Sequence, residues 1–345
     1  MKFESARDLK EEALERFINR PTILGTKVDA RIRASQARLS ALADDLLPEQ
    51  LGIPFIRPEP TVGLGVAVFP DGDCKLAVRY PWLDRSRAPF HDELTELAMK
   101  EIQFDWTGPI RASTAPGVRR FQERRRPISI GCSVAHDRGT AGTITAFVQR
   151  GGGAPELLSC NHVLADCGRA QPNAAILQPG PLDHGVARDV IGRLAYVVPI
   201  EGGTSENVVD CALATLDTGV DVDLRSIDNQ GELSGTVEPD WFDETAVGQK
   251  VAKVGRSTGL TMGTVTVLSF IGDIDYSVGL RSFTDMLEIE GDGGLFASDG
   301  DSGSLVYTVA DRRAIGMIIA VADDGKTYMT RLDTVLSRLG AQLAI

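Results

Sequence analysis

From Ile128 onward, short apolar runs alternate with clusters of Gly, Asp, Asn and Pro. That punctuation predicts a mainly β region. The expected strands are Thr140–Gln149, Glu156–Cys160, Asp189–Pro199, Asp210–Leu216, Lys250–Val254, Gly263–Phe270, Ser304–Val309, Ala314–Val321 and Thr327–Arg331, with a closing helix over Leu332–Leu339. The first third has a different period. Leu9, Ala13, Leu14, Phe17 and Ile18 recur at helical spacing until Pro21 ends the segment, and Val28, Ile32, Leu39, Leu42, Leu46 and Leu47 predict a second helix from Lys27 to Leu47. Thr61–Phe69 and Cys74–Tyr80 then read as two strands joined at Pro70-Asp71-Gly72-Asp73, with a helix near Asp92–Gln103. The chain is therefore expected to divide into a small α+β domain over 1–112, a basic linker over 113–127 and a mainly β domain over 128–345.

Charge follows the same division. Residues 1–130 carry 21 Lys+Arg against 19 Asp+Glu, whereas residues 131–345 carry 15 against 29, which together give the net −12 of the 345-residue chain. An acidic β domain argues against nucleic acid as a partner, since phosphate recognition requires a positive surface. The most basic stretch, Gly117 to Pro127, reads as a solvated linker, with a processing site or a surface gripping the acidic domain as the alternatives.

Near the C-terminus the chain reads Gly300-Asp301-Ser302-Gly303-Ser304, and all four histidines lie before it. A serine hydroxyl needs an imidazole to take its proton, so a serine nucleophile here must draw on an upstream histidine. That order excludes the α/β-hydrolase layout, in which the histidine comes last. His162 is the best placed, because the apolar run Leu157-Leu158 leads through Ser159-Cys160-Asn161 directly into it. His91, His136 and His184 read as solvated histidines in polar or Gly-rich surroundings. The carboxylate that orients the imidazole should be buried, and Asp210 fits because it enters the apolar run Cys211-Ala212-Leu213. Asp217 is the reserve.

These blocks, together with Lys253-Val254-Gly255-Arg256-Ser257-Thr258-Gly259 and Met262-Gly263-Thr264-Val265, resemble the trypsin-like serine peptidases over roughly residues 128 to 345. Arg126-Pro127-Ile128-Ser129-Ile130-Gly131 and Ile176-Leu177-Gln178-Pro179-Gly180 are similar to bacterial members with an N-terminal extension and to the plant narrow-leaf type. The resemblance implies a chymotrypsin-like pair of antiparallel β-barrels with the site at their junction. It implies a serine endopeptidase in which Ser302 attacks, His162 carries the proton, Asp210 orients His162, and the N–H groups of Gly300 and Ser302 form the oxyanion hole. An inactive scaffold that binds a partner protein is the alternative.

Where trypsin has an aspartate that selects Arg or Lys, this sequence has Phe296. With Ala320, Val321 and Thr327 as walls, a small or apolar pocket is expected, with Phe296 packed into the barrel core as the competing reading. The expected partners are a protein or peptide substrate and a regulatory protein acting through the N-terminal part, and a homo-oligomer is allowed. No nucleotide, metal or flavin pattern is found, so no cofactor is expected. The start, Met1-Lys2-Phe3-Glu4, has no apolar leader and no segment is long and apolar enough to span a bilayer, so a cytoplasmic location without membrane attachment is expected. The cysteines Cys74, Cys132, Cys160, Cys167 and Cys211 are expected as reduced thiols, with a Cys132–Cys160 bridge left open.

Overall fold

The computed structural model describes residues 1–18, 61–69, 71–82, 90–112, 118–203 and 205–345. The helix expected over Lys27–Leu47 lies outside them. In the N-terminal third, the helix Phe3–Ala13 precedes strands β1 (Gly63–Val68) and β2 (Cys74–Tyr80), the helix His91–Leu97, β3 (Ile102–Trp106) and the short β4 (Ile110–Arg111). The next strands are β5 (Ser133–His136), β6 (Gly142–Thr143), β7 (Ala146–Arg150), β8 (Glu156–Ser159), β9 (Ala175–Leu177), β10 (Val190–Val197), β11 (Glu206–Asn207) and β12 (Ala212–Leu216). After β13 (Gly235–Thr236) come β14 (Lys250–Gly255), β15 (Gly259–Tyr276), β16 (Gly279–Gly291), β17 (Leu305–Thr308), β18 (Arg313–Ala322) and β19 (Thr327–Arg331). The helix Leu332–Leu339 and β20 (Ala341–Leu343) complete the chain.

Both sheets curl. In the first sheet the order is β20-β7-β8-β12-β10-β9-β5-β6, and only two residues separate β6 at one end from β7. In the second the order is β16-β19-β18-β17-β14-β15, and β15 pairs with β16 to close it. Curling encloses an apolar interior in each sheet. The interior of the second barrel includes Val251, Val265, Ile289, Val306, Ile318 and Met329. The fold is therefore the chymotrypsin-like double barrel, mainly β.

The N-terminal strands extend the second sheet. β1 pairs antiparallel with β15, β2 with β1, and β3 parallel with β2. A buried ion pair reinforces this join: Arg79 Nε and Nη2 donate to Glu288 Oε2 and Oε1 at 2.8 and 2.9 Å. Tyr328 and Thr266 hydroxyls donate to the same carboxylate at 3.0 and 2.9 Å. Burial pushes the Glu288 carboxyl up, but the Arg79 charge and these hydrogen bonds outweigh it and hold it below its ordinary 4.5. A carboxyl depressed in the folded state adds stability that is complete above about pH 4.5 and is lost as pH falls through the lowered value. Urea unfolding should therefore find Glu288→Gln less stable than wild type at pH 7. The gap should narrow as the pH falls from 7 toward 3, and a gap independent of pH would contradict this account of the pair.

The stretch expected as a solvated linker is partly packed. Within its described residues a short helix, Arg119–Gln122, buries Phe121 completely in the main core. Arg120 pairs with Asp228 at 2.5 Å and Arg124 with Asp189 at 3.2 Å, so these arginines grip the acidic β region. The solvated reading fails here because Phe121 carries the segment onto the barrel.

Candidate active site

Antiparallel pairing of β8 with β12 sets Ser159 opposite Ala212. The residues just after β8 and just before β12 consequently emerge at one end of the first barrel. His162 lies on the short helix Asn161–Leu164 that follows β8, and Asp210 lies two residues before β12. Their side chains meet: His162 Nδ1 and Asp210 Oδ2 are 2.5 Å apart, and the His162 backbone N–H donates to Asp210 Oδ1 at 3.2 Å. Asp210 is fully buried. A third donor, the Tyr276 hydroxyl from the tip of β15, reaches Asp210 Oδ2 at 2.9 Å, and its ring stands edge-on to the imidazole at 5.5 Å. Burial first, and then the Asp210 charge, push the Tyr276 hydroxyl well above its usual range, so it remains a donor. His162 Nε2 is buried and has no hydrogen-bond partner among the described residues. Asp217, at the other end of β12, is exposed.

Ser302 comes from the second barrel, on the loop between β16 and β17, and is 6% exposed. First-barrel groups pin this loop by its carbonyls. Thr143 N–H donates to Ser302 O at 2.8 Å, Thr143 Oγ1 to Gly300 O at 3.1 Å and Thr145 Oγ1 to Gly303 O at 2.6 Å. The N–H groups of Gly300 and Ser302 donate to no acceptor among the described residues, as an anion-binding pair would require. Glycine is needed at both bends. Gly300 has φ +91°, and a Cβ there would lie 2.4 Å from Arg256 Nη1; Gly303 has φ +90°, and a Cβ would meet Thr143 O at 2.2 Å.

Beneath the loop, Asp301 is completely buried and ion-paired with the equally buried Lys253, Nζ to Oδ2 3.1 Å. Ser257 N–H, Ser298 N–H and the Thr258 hydroxyl also donate to Asp301, at 2.8, 3.1 and 2.7 Å. Burial pulls the Lys253 ammonium below its ordinary value, with Asp301 opposing that shift. The pair locks the turn that carries Ser302 from inside.

Cys160 Sγ, a ring nitrogen of His162 and a carboxylate oxygen of Asp210 lie within 4.8 Å of one another. The trio does not make a good metal cradle. Nδ1 is engaged with Asp210, and burial, then the Asp210 charge, hold the Cys160 thiol well above its usual range and hence neutral. All five cysteines are free, so Cys132 and Cys160 are not bridged. His136 departs from the solvated reading: it is part of β5, 4% exposed, and burial lowers its pKa.

The residues expected to wall a specificity pocket are placed differently from one another. Phe296 is fully buried in the second barrel's core and Val321 packs against that cluster, while Thr327 pairs with Val321 across β18 and β19. Ala320 belongs to the other core cluster. Phe296 therefore sits where the competing core reading put it. Tyr276, Lys253, Thr143 and Thr145 are the site residues that sequence reasoning did not assign.

Two antiparallel barrels, with His162 and Asp210 on one and Ser302 on the other, define a trypsin-like fold. Residues 211–335 match the family described as Nal1 C-terminal domain. The chain is 29% identical over 226 residues to Protein NARROW LEAF 1 of Oryza sativa subsp. japonica, covering 59% of this chain and 38% of that relative. The match thus spans well under two thirds of the plant protein. Among solved structures, Thermobifida fusca Protease A is 18% identical with a TM-score of 0.43, covering 63% of this chain and 98% of that one. Nocardiopsis protease is 16% identical with a TM-score of 0.44, covering 63% and 100%. No helix among the described residues is long and apolar enough to cross a membrane.

Proposed function

We propose that the protein is a serine endopeptidase acting through His162, Asp210 and Ser302. The observation that carries this reading is the buried Asp210 carboxylate at 2.5 Å from His162 Nδ1, which leaves Nε2 unbonded. Donation from Nδ1 fixes the tautomer in which Nε2 can accept a proton. In the proposed reaction Ser302 Oγ attacks the peptide carbonyl as its proton passes to Nε2. The oxyanion settles on the Gly300 and Ser302 N–H groups, and the imidazolium returns the proton to the leaving amine. Water then repeats the sequence on the acyl-enzyme. The unbonded Nε2 is also what favours the scaffold alternative, but catalytic hydrogen bonds are often long before substrate binds.

The substrate is proposed to be protein or peptide, cleaved after small or apolar residues, because Phe296 replaces the acid that would attract a basic side chain. A peptide-library digest should yield cleavage after aliphatic residues in wild type and none with Ser302→Ala. A profile dominated by Arg and Lys would overturn the specificity. Equal cleavage by the Ser302→Ala variant would overturn the mechanism.

A further inference from the structure

One edge of β18 carries the nucleophile loop and a piece of the N-terminal third in line. β18 uses its first edge to pair with β19, from Gly316↔Arg331 to Val321↔Thr327. On its second edge Leu305 of β17 faces Met317. Next along that edge, Gly303 N–H donates to Ile318 O at 2.7 Å and Ile318 N–H donates to Ser304 O at 3.0 Å, so the loop bearing Ser302 lies level with residue 318. Further on, Val321 pairs with Arg111 and Ala322 with Ile110, antiparallel. Since Val321 meets Thr327 with its first edge, β4 must occupy the second, the edge that leads to Ser302. At about 3.3 Å per residue, Arg111 stands roughly 10 Å along the strand from the level of the nucleophile loop. Because β4 runs antiparallel to β18, the chain direction from Ile110 through Arg111 to Ala112 is toward that loop.

An extended peptide bound at an open sheet edge adds as a further strand. A substrate whose acyl-side residues lead into Ser302 would need this edge in this direction, and β4 already holds it. We propose that Ile110–Arg111 is a pseudo-substrate strand, so that an extended polypeptide must displace β4 before its acyl side can dock. This rests on the endopeptidase reading and adds a means of regulation to it. The attachment is suited to displacement. β4 is two residues long, Ala112 N–H reaches Asp275 O at only 3.4 Å, and Arg111 is fastened to Asp323 by an ion pair whose side chains are 43% and 37% exposed. Exposed pairs of this kind hold weakly. β4 also pairs with Ile274 and Asp275 of β15.

The test uses the full chain and Arg111→Asp, which sets like charges against Asp323. Two substrates are compared: a single-residue acyl ester too short to reach residues 320–322, and a peptide with four residues on its acyl side. In the variant, KM for the long peptide should fall roughly three- to tenfold, a range set by the weak binding of exposed ion pairs, while the ester's constants stay within about twofold. Hydrogen exchange should show the amides of residues 110–112 losing protection when a four-residue peptidyl phosphonate is attached and keeping it with a small fluorophosphonate. Equal effects on both substrates, no change in KM, or undiminished protection would overturn the proposal. If Ser302 takes up neither phosphonate and neither substrate is turned over, the endopeptidase reading itself falls and this inference falls with it.

Discussion

Asp210→Asn should lower kcat on a peptide substrate by about 10⁴, the scale of the same exchange in the trypsin triad, while the folded structure persists. The reason lies in which atoms face each other. Oδ2 of Asp210 is approached by His162 Nδ1 at 2.5 Å and by the Tyr276 hydroxyl at 2.9 Å, and Oδ1 by the His162 N–H at 3.2 Å. An amide can present an acceptor to only one side. If its NH₂ group faces the ring, Nδ1 must become the acceptor and the proton moves to Nε2, the atom that has to receive the proton of Ser302. If its oxygen faces the ring, the NH₂ group meets the backbone N–H of His162. Steady-state kinetics beside a thermal unfolding curve would check this. Activity within tenfold of wild type in a folded variant would mean that Asp210 does not set the tautomer.

The second large effect concerns stability and activity together. Lys253→Met should destabilise the protein by about 3–5 kcal/mol, because it leaves a buried carboxylate without its counter-charge. Asp301 and Lys253 are both 0% exposed. The amide donors from Ser257 and Ser298 would remain, but they cannot neutralise the charge. Since Asp301 is bonded to Ser302 in the chain, relaxation around it should also turn the Gly300 and Ser302 N–H groups away from a common point and slow acylation. Adding Asp301→Asn should recover much of the stability, as removing both charges avoids the uncompensated one. Urea unfolding of the two single variants and the double variant measures the coupling. Strictly additive losses would show that the pair does not act as a unit.

Much of this architecture is legible in the sequence, and the exceptions have physical causes. β14, β19 and the helix Leu332–Leu339 follow their apolar patterns closely. Asp210 was legible because a carboxylate in an apolar run needs a partner. The same logic applies to Lys253, a cation in Val251-Ala252-Lys253-Val254 on the face shared with Val251, which called for a buried acid. β16 escaped because Arg281-Ser282-Phe283-Thr284-Asp285 is only half-buried and mixes charge into the strand. β15 runs on to Tyr276 through Asp273 and Asp275, which look like a solvated acidic turn, yet Ile274 and Tyr276 alternate with them and point inward. The flanking aspartates mask the inward-facing Tyr276 in the sequence. The attachment of β1 to β15 and the place of β4 beside β18 depend on contacts between residues more than 150 positions apart, which local pattern does not encode.

The central claim is that Ser302 is an activated nucleophile. Incubating the folded protein, Ser302→Ala and His162→Ala with a small fluorophosphonate and mapping the modified peptide tests it most directly. The proposed mechanism predicts stoichiometric labelling of wild type on Ser302 alone, with none in either variant. A folded wild-type protein that stays unlabelled, or that carries the label elsewhere, would contradict it.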